Sequence, residues 1–424
     1  MQILDGLKVL DLTTIVSGPY AASLLADLGA DVIKVEPPAP GDSARVFEST
    51  EPRYTMNGLS PHLMTLARNK RGIVVNLRSD RGKETFADLV RWTDVVLDNY
   101  RPGVTERLGV DYAPLRKINE RIITCSITGY GQTGPGRDRA ALDACIQAYA
   151  GVMGITGETD GDPMRAGPLY SDASAGMAGA FAILAAIIAR DRTGVGQHID
   201  ISMLDVQISM LTYISTMQMM SGLPAARWGN EHALHVPYNA YPTAEGFLFV
   251  AAFLDNHWAA LVSELGRMML PDSVRQDVDY LRQKSLLNRL ARLEARLPIN
   301  QALTNILKVR PRDAWLTELS AAGIPVAPVN SVEDAVNDPH VRARDMIVDV
   351  PHPAGGLFKA PGNPIKMSAA DPDTFTAPPL LGQDTASVLV NVLGYDQAKI
   401  DALIADGAIE TNSSQARNQD QPRS

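Results

Sequence analysis

The chain has 424 residues with a formal net charge of −9; 45% of them are hydrophobic and 21% charged. That length accommodates two domains with separate cores. The acidic balance excludes the basic stripe of a nucleic-acid binder but leaves room for a local arginine cluster that holds phosphates.

The opening MQILDGLKVLDL lacks the pattern of a secretory signal. Cys125 and Cys145 both sit in apolar surroundings, which predicts reduced core thiols and a cytoplasmic location. Residues 8–12 (KVLDL) predict a strand, 13–19 a turn, and 20–28 a helix that Gly29 closes. A second strand follows at 31–36 (DVIKVE), giving a βαβ unit whose strands run parallel. Further strands are predicted at 73–77, 94–97 and 122–128, with a helix at 82–91. This alternation gives an α/β fold with a doubly wound sheet and a ligand site beyond the carboxyl ends of its strands. The first turn reads TTIVSGP, with one glycine where a dinucleotide fingerprint needs three, which argues against nicotinamide or flavin. The same turn can still offer backbone N–H groups to a phosphate.

Segment 37–61 is long and aperiodic, the kind of loop that is either functional or disordered. Arg45 and Arg53 lie in it, and Asn69, Lys70 and Arg71 follow. Each alone reads as a solvated charge; with Arg101 and Arg107 they form a candidate anion site.

Asp172 stands just ahead of the apolar run 177–189, which is shorter than the roughly 20 residues a bilayer requires. The run predicts a buried helix, rich in Ala and Gly, that other backbone or a ligand can approach closely. An acid at such a helix start is favoured in its ionised form by the macrodipole, and an ionised carboxylate is a nucleophile. The plainer reading is an N-cap, for which Asp is among the best residues.

Beyond it, 195–203 predicts a strand and 204–221 a Met-rich helix suited to core or interface packing. Around Gly229 a loop leads to a hairpin and then helices to about 322, read as a smaller α+β domain ending in a strand at 324–329. His232 and His235 form an HxxH pair without further ligands nearby, so no metal is expected; the pair reads as part of a loop facing another subunit. Residues 410–424 are polar and predict a disordered tail.

Six blocks in order carry a family pattern: DGLKVLDLTTIVSGPYAASLLADLGADVIKVEPP, ARNKRGIVVNL, DVVLDNYRPGVTERLG, GYGQTGPGRDRAALDACIQAYAG, SDASAG with RDRTGVGQHIDISMLD, and PPLLGQDTASVLVNVLGYD. Together they resemble the family III CoA-transferases, which include formyl-CoA and carnitine CoA-transferases. The resemblance implies a Rossmann-like large domain built from both chain ends, an inserted small α+β domain, and an interlocked homodimer. The implied boundaries are 1–203 for the first part of the large domain, 204–228 for a linker helix and 229–332 for the small domain. A second linker at 333–352 and a return to the large domain at 353–409 precede the tail. No permanently bound cofactor is implied. Coenzyme A enters as an acyl-CoA substrate and a small carboxylic acid is the second partner; neither nucleic acid nor membrane is expected.

The resemblance also implies roles. Asp172 would attack a donor thioester to form a mixed anhydride. Val16 and Ser17 would make backbone contacts near the thioester, and Val75, Asn76, Leu77 and Arg78 would border the adenine. Asn99, Tyr100, Arg101 and Arg107 would hold pantetheine and phosphates, with Arg139 opening another CoA-contacting loop. Asp143 matches an acid near the family nucleophile, or caps a helix. Formyl-CoA transferases carry a small polar side chain where this chain has Val16, and a glycine-rich loop where it reads GNEHALHVPYNAY. Formate or oxalate is therefore not the expected acid. The resemblance implies small and medium carboxylic acids, often dicarboxylates, with succinyl-CoA as a donor, and the residues themselves do not choose among them. One alternative is a 2-methylacyl-CoA racemase, but the histidine it would need as second base is replaced here by Leu142 before Asp143. The other, a non-catalytic acyl-CoA-binding protein, is at odds with Asp172 in its full motif.

Overall fold

The computed structural model describes residues 2–47, 51, 53–56 and 58–412. Period-two patterning sets its frame, because successive strand side chains point to opposite faces. In β1 (Lys8–Asp11), Val9 enters one core with Leu25, Ile127 and Ile183, while Leu10 enters another with Ile33, Phe86 and Leu389. β1 pairs in parallel with β2 (Asp31–Glu36) and β4 (Val95–Asp98), placing Leu10 opposite Ile33 and Val96. β3 (Lys70–Val75) extends the sheet beyond β2, and β5 (Ile123–Thr128) and β6 (His198–Ser202) extend it beyond β4, all parallel. A last strand, Ile409–Glu410, runs antiparallel on the outer edge of β3. The expected βαβ start is present, with α1 (Ser17–Asp27) between β1 and β2.

Four sequence expectations change. β3 begins at Lys70 rather than 73, because the Lys70 ammonium is paired with buried Asp11 and so can enter the sheet. Residues 410–412 belong to the ordered chain end, since Ile409 and Glu410 pair with Val75 and Val74; 413–424 lie outside the described residues. The single helix expected at 204–221 is two, Met203–Met210 and Tyr213–Ser221, broken at Thr212 with φ 50°. Cys125 is buried in the core, but Cys145 is exposed.

The chain divides into two compact units, one of Met1–Val152, Arg165–Leu223 and Pro339–Ser424, the other of Met153–Met164 and Pro224–Asp338. In the first, the chain end supplies core: Val388, Leu389, Ile400, Leu403 and Ile409 pack with Ile33, Ile73 and Phe86. A hairpin, Ile347–Pro351 with Leu357–Pro361, precedes that return. The second unit has an antiparallel three-stranded sheet, Asn239–Pro242, Phe247–Val250 and Val326–Pro328, covered by helices that bury Trp258, Leu303 and Trp315. Its centre also holds the fully buried Arg292, whose guanidinium donates to the carbonyls of Val236, Phe253, Leu286 and Leu287 and to Asp255.

Candidate active site

Small residues decide where Asp172 sits. The helix α4 (Tyr170–Thr193) crosses α1 at such close range that a Cβ added at Gly176 would lie 2.6 Å from the Ser17 carbonyl oxygen, and one at Gly179 would lie 2.8 Å from Ile127 Cδ1. Asp172, four residues before Gly176 and therefore on the same side of the helix, is brought to the start of α1, beside the Ser17 side chain. With 24 residues, α4 is longer than its apolar run and by length and composition could cross a bilayer. Its Gly and Ala side is instead packed in the unit's core. The expectation of a buried helix holds for that side only: Met177, Phe181 and Ile188 are exposed.

Asp172 is neither a lone acid nor a cap. The N-cap position of α4 is Leu169, which makes no capping bond. The cap comes from another helix, α3 (Asp143–Tyr149): Asp143 Oδ1 accepts the N–H groups of Ser171 at 2.7 Å and Asp172 at 3.1 Å. Gln147, fully buried, donates to Asp143 Oδ2 at 2.7 Å and accepts the Ala166 N–H at 2.8 Å. The Asp172 side chain is thereby left free of capping. Burial first, and the Asp143 charge second, push its pKa up to about 6, against the Ser17 hydrogen bond that lowers it. It stays mostly ionised at neutral pH, with a more basic oxygen than a solvated aspartate.

The first turn adds donors. Val16 caps α1 without a side-chain bond, and the N–H groups of Val16, Ser17 and Gly18 have no acceptor among the described residues. They stand at the positive end of the helix whose start Asp172 approaches. Asn99 is a strut in this arrangement. Its Oδ1 accepts the Thr14 N–H and its Nδ2 donates to the Thr14 carbonyl, both at 2.8 Å, and to Ser17 Oγ at 3.3 Å.

At the carboxyl ends of β2, β3 and β4 a cavity of about 690 Å³ opens, lined by Val75, Asn76, Leu77, Arg78, Tyr100 and Arg107 among the residues singled out from the sequence. Glu36, at the end of β2, and residues 37–41 also line it; sequence reasoning flagged 37–41 only as part of a long loop. Arg78 and Arg107 have no carboxylate partner among the described residues. Val16 and Ser17 belong to the first turn instead, and Asn99, just after β4, braces that turn. Arg101 is exposed, and Arg139 lies over the Tyr149 ring at 5.4 Å.

The wider cluster expected to hold an anion does not assemble. Arg45 is buried in a two-pronged pair with Glu36, Lys70 pairs with Asp11, and Arg71 with Asp31. Arg53 is exposed and bonded to Glu51, and the Asn69 amide donates to Asp27. The cations among them are paired within the fold, so of that set only Arg107 lines the cavity, where Arg78, expected at the adenine, joins it.

A parallel sheet with a carboxylate and a cavity at one end fits many enzymes; comparison with known proteins decides among them. Residues 4–385 match the model of CoA-transferase family III. The chain belongs to that family. It is 36% identical over 414 residues to the succinyl-CoA:glutarate CoA-transferase of Mus musculus, spanning 97% of this chain and 91% of the relative. It is 38% identical over 393 residues to the succinate–glutarate CoA-transferase of Agrobacterium fabrum, 92% of this chain and 95% of that one. The crystal structure of a CaiB/BaiF family protein from Brucella suis has the same fold, with a TM-score of 0.80 at 34% identity over 92% of this chain and 99% of that chain.

In this CoA-transferase the HxxH pair is an aromatic feature. The rings of His232 and His235 stack with centroids 4.2 Å apart, and His235 also stacks on Phe253 at 4.2 Å. Burial lowers both pKa values, helped by the neighbouring charges of Arg296 at His232 and Arg289 at His235. Among the described residues no group of three or more His, Cys, Asp or Glu side chains could hold a metal. Sequence reasoning missed the buried ions around the first turn: Asp11, Lys34 and Asp42. Their signal was present, since a charge inside a strand of a doubly covered sheet must have a partner.

Proposed function

We propose that this CoA-transferase works through an acyl-aspartyl anhydride on Asp172, with succinyl-CoA as donor and a dicarboxylate such as glutarate as acceptor. The observation that carries the mechanism is the uncapped Asp172 carboxylate, beside Ser17 at the start of a helix with three unused N–H groups. The substrate class is drawn from the names of the relatives.

An Asp172 oxygen attacks the thioester carbonyl; the C–S bond breaks and CoA leaves as thiolate. The thiolate then attacks the aspartyl carbonyl, expels the donor acid and leaves an aspartyl thioester. The acceptor carboxylate attacks that thioester and frees the thiolate again, forming a second anhydride. Attack of the thiolate on the acceptor's carbonyl releases the new acyl-CoA and restores Asp172. Every group enters and leaves as an anion, so no general base is required. The anhydride and thioester keep the activation of the starting bond. Oxyanions formed along the way would be met by the N–H groups of Val16, Ser17 and Gly18. The cavity with Arg78 and Arg107 would take the nucleotide end of CoA, guanidinium groups being suited to phosphate oxygens.

We propose a second copy of the chain as partner. Phe181, Met219 and Met220 are 76%, 77% and 83% exposed, a density of bare apolar side chains on one unit that a partner surface accounts for.

Asp172→Ala is expected to abolish CoA exchange from succinyl-CoA to glutarate while CoA still binds. Hydroxylamine added during turnover is expected to leave a hydroxamate on Asp172. Wild-type exchange in the variant, or labelling of another acid, would reject the mechanism.

A further inference from the structure

The first turn is held in a conformation it would not choose. Ile15 has φ 70°, a region that branched side chains rarely adopt. Side chains from three other segments hold it there. Asp42 Oδ1 accepts the Ile15 N–H at 3.2 Å, and Asp42 Oδ2 accepts from Lys34 Nζ at 2.7 Å. Lys34 Nζ also donates to the Thr13 carbonyl at 2.9 Å, and Asn99 takes both polar groups of Thr14. From the Thr13 carbonyl to the Ile15 N–H, every backbone polar group is bound by a side chain. The next three N–H groups, of Val16, Ser17 and Gly18, are left open.

Lys34 and Asp42 are both buried, and a second buried pair, Lys70 with Asp11, lies beside them. Removing one ion of a buried pair is costly, yet an intact pair seldom adds stability over apolar residues of the same volume. Stability therefore does not explain why the pair is here. We infer that Asp42 and Lys34 are positioning residues for catalysis, clamping the strained turn so that the open N–H groups are set at the Asp172 carboxyl before substrate arrives. This rests on Asp172 being the nucleophile. Donors fixed in advance act on charge that develops only in the transition state, so loosening them lowers kcat and leaves substrate binding intact.

The test uses the full-length enzyme with succinyl-CoA and glutarate. Asp42→Ala frees the Ile15 N–H and leaves Lys34 uncompensated; kcat is expected to fall by about a hundredfold, with unchanged KM for succinyl-CoA and unchanged CoA affinity. Competent sites are counted by hydroxamate trapping on Asp172, so that a fraction of misfolded enzyme is not mistaken for a slower one. The double variant Lys34→Gln/Asp42→Asn removes both charges, leaves Lys70 with Asp11, and keeps amides able to hold the turn; it is expected to recover most of the lost rate. If Asp42→Ala does not fold, Asn99→Ala carries the test, because it frees both polar groups of Thr14 without disturbing a buried charge. Wild-type kcat per competent site, or a fall in kcat matched by an equal loss of CoA affinity, overturns the inference. Failure of the wild-type enzyme to form a hydroxamate at Asp172 would instead reject the nucleophile itself.

Discussion

As the proposed nucleophile, Asp172 carries opposing demands: it must be ionised to attack, yet burial and the neighbouring Asp143 resist its charge. A folded-state pKa near 6 against an ordinary value of 3.8 means that the folded protein holds this proton more tightly. The ionised group then opposes folding by at most about 3 kcal/mol above pH 6, an effect that disappears below about pH 4. Asp172→Asn is accordingly expected to unfold at higher temperature than wild type at pH 7.5 and to lose that advantage at pH 4, as calorimetry at both pH values would show. For the wild type, kcat is expected to fall as pH drops through about 6, since protonation removes the nucleophile. The arginines make a contrast at the same scale. Arg107→Ala is expected to raise KM for acyl-CoA about tenfold or more, the loss of one charge-assisted contact. Arg45→Ala, which strands Glu36, is expected to lower stability instead, read as a reduced denaturant midpoint. The sequence could not separate these arginines, because the carboxylate that consumes Arg45 is identified only by the way the chain turns back on itself.

Among elements, the contact of α1 with α4 does most to make the site. Gly176→Val would drive a side chain into the Ser17 carbonyl and move Asp172 off the first turn. It is expected to cost at least about a hundredfold in kcat, measured alongside circular dichroism that confirms retained helix content. Much at this scale was legible. The βαβ start, the strand at 31–36 and the Gly29 stop follow from local pattern and appear as expected. The cap of α4 was not legible, because its acceptor, Asp143, lies 28 residues upstream of the N–H it binds. An N-cap read from sequence assumes the local residue does the work; here a neighbouring helix does it and frees the local acid.

At the scale of the whole molecule, the chain end is part of the core it rejoins. Leu403 and Leu389 are buried against Ile33 and Phe86, so Leu403→Ala is expected to cost about 2–5 kcal/mol, read from urea unfolding, without altering KM in the folded fraction. Phe181→Glu, on the bare side of α4, is expected to leave the chain folded but to weaken the proposed self-association, read by sedimentation against the unaltered enzyme. Sequence alone determined the α/β pattern and the family and singled out the acid proposed as nucleophile, because hydrophobic period, turn residues and ordered motifs are local properties. Only the tertiary structure decided which charges remain free to meet a ligand, which carboxylate caps and which one is left uncapped. Those outcomes depend on partners far apart in sequence, whose approach is set by how closely glycine-lined helices and a paired sheet can pack.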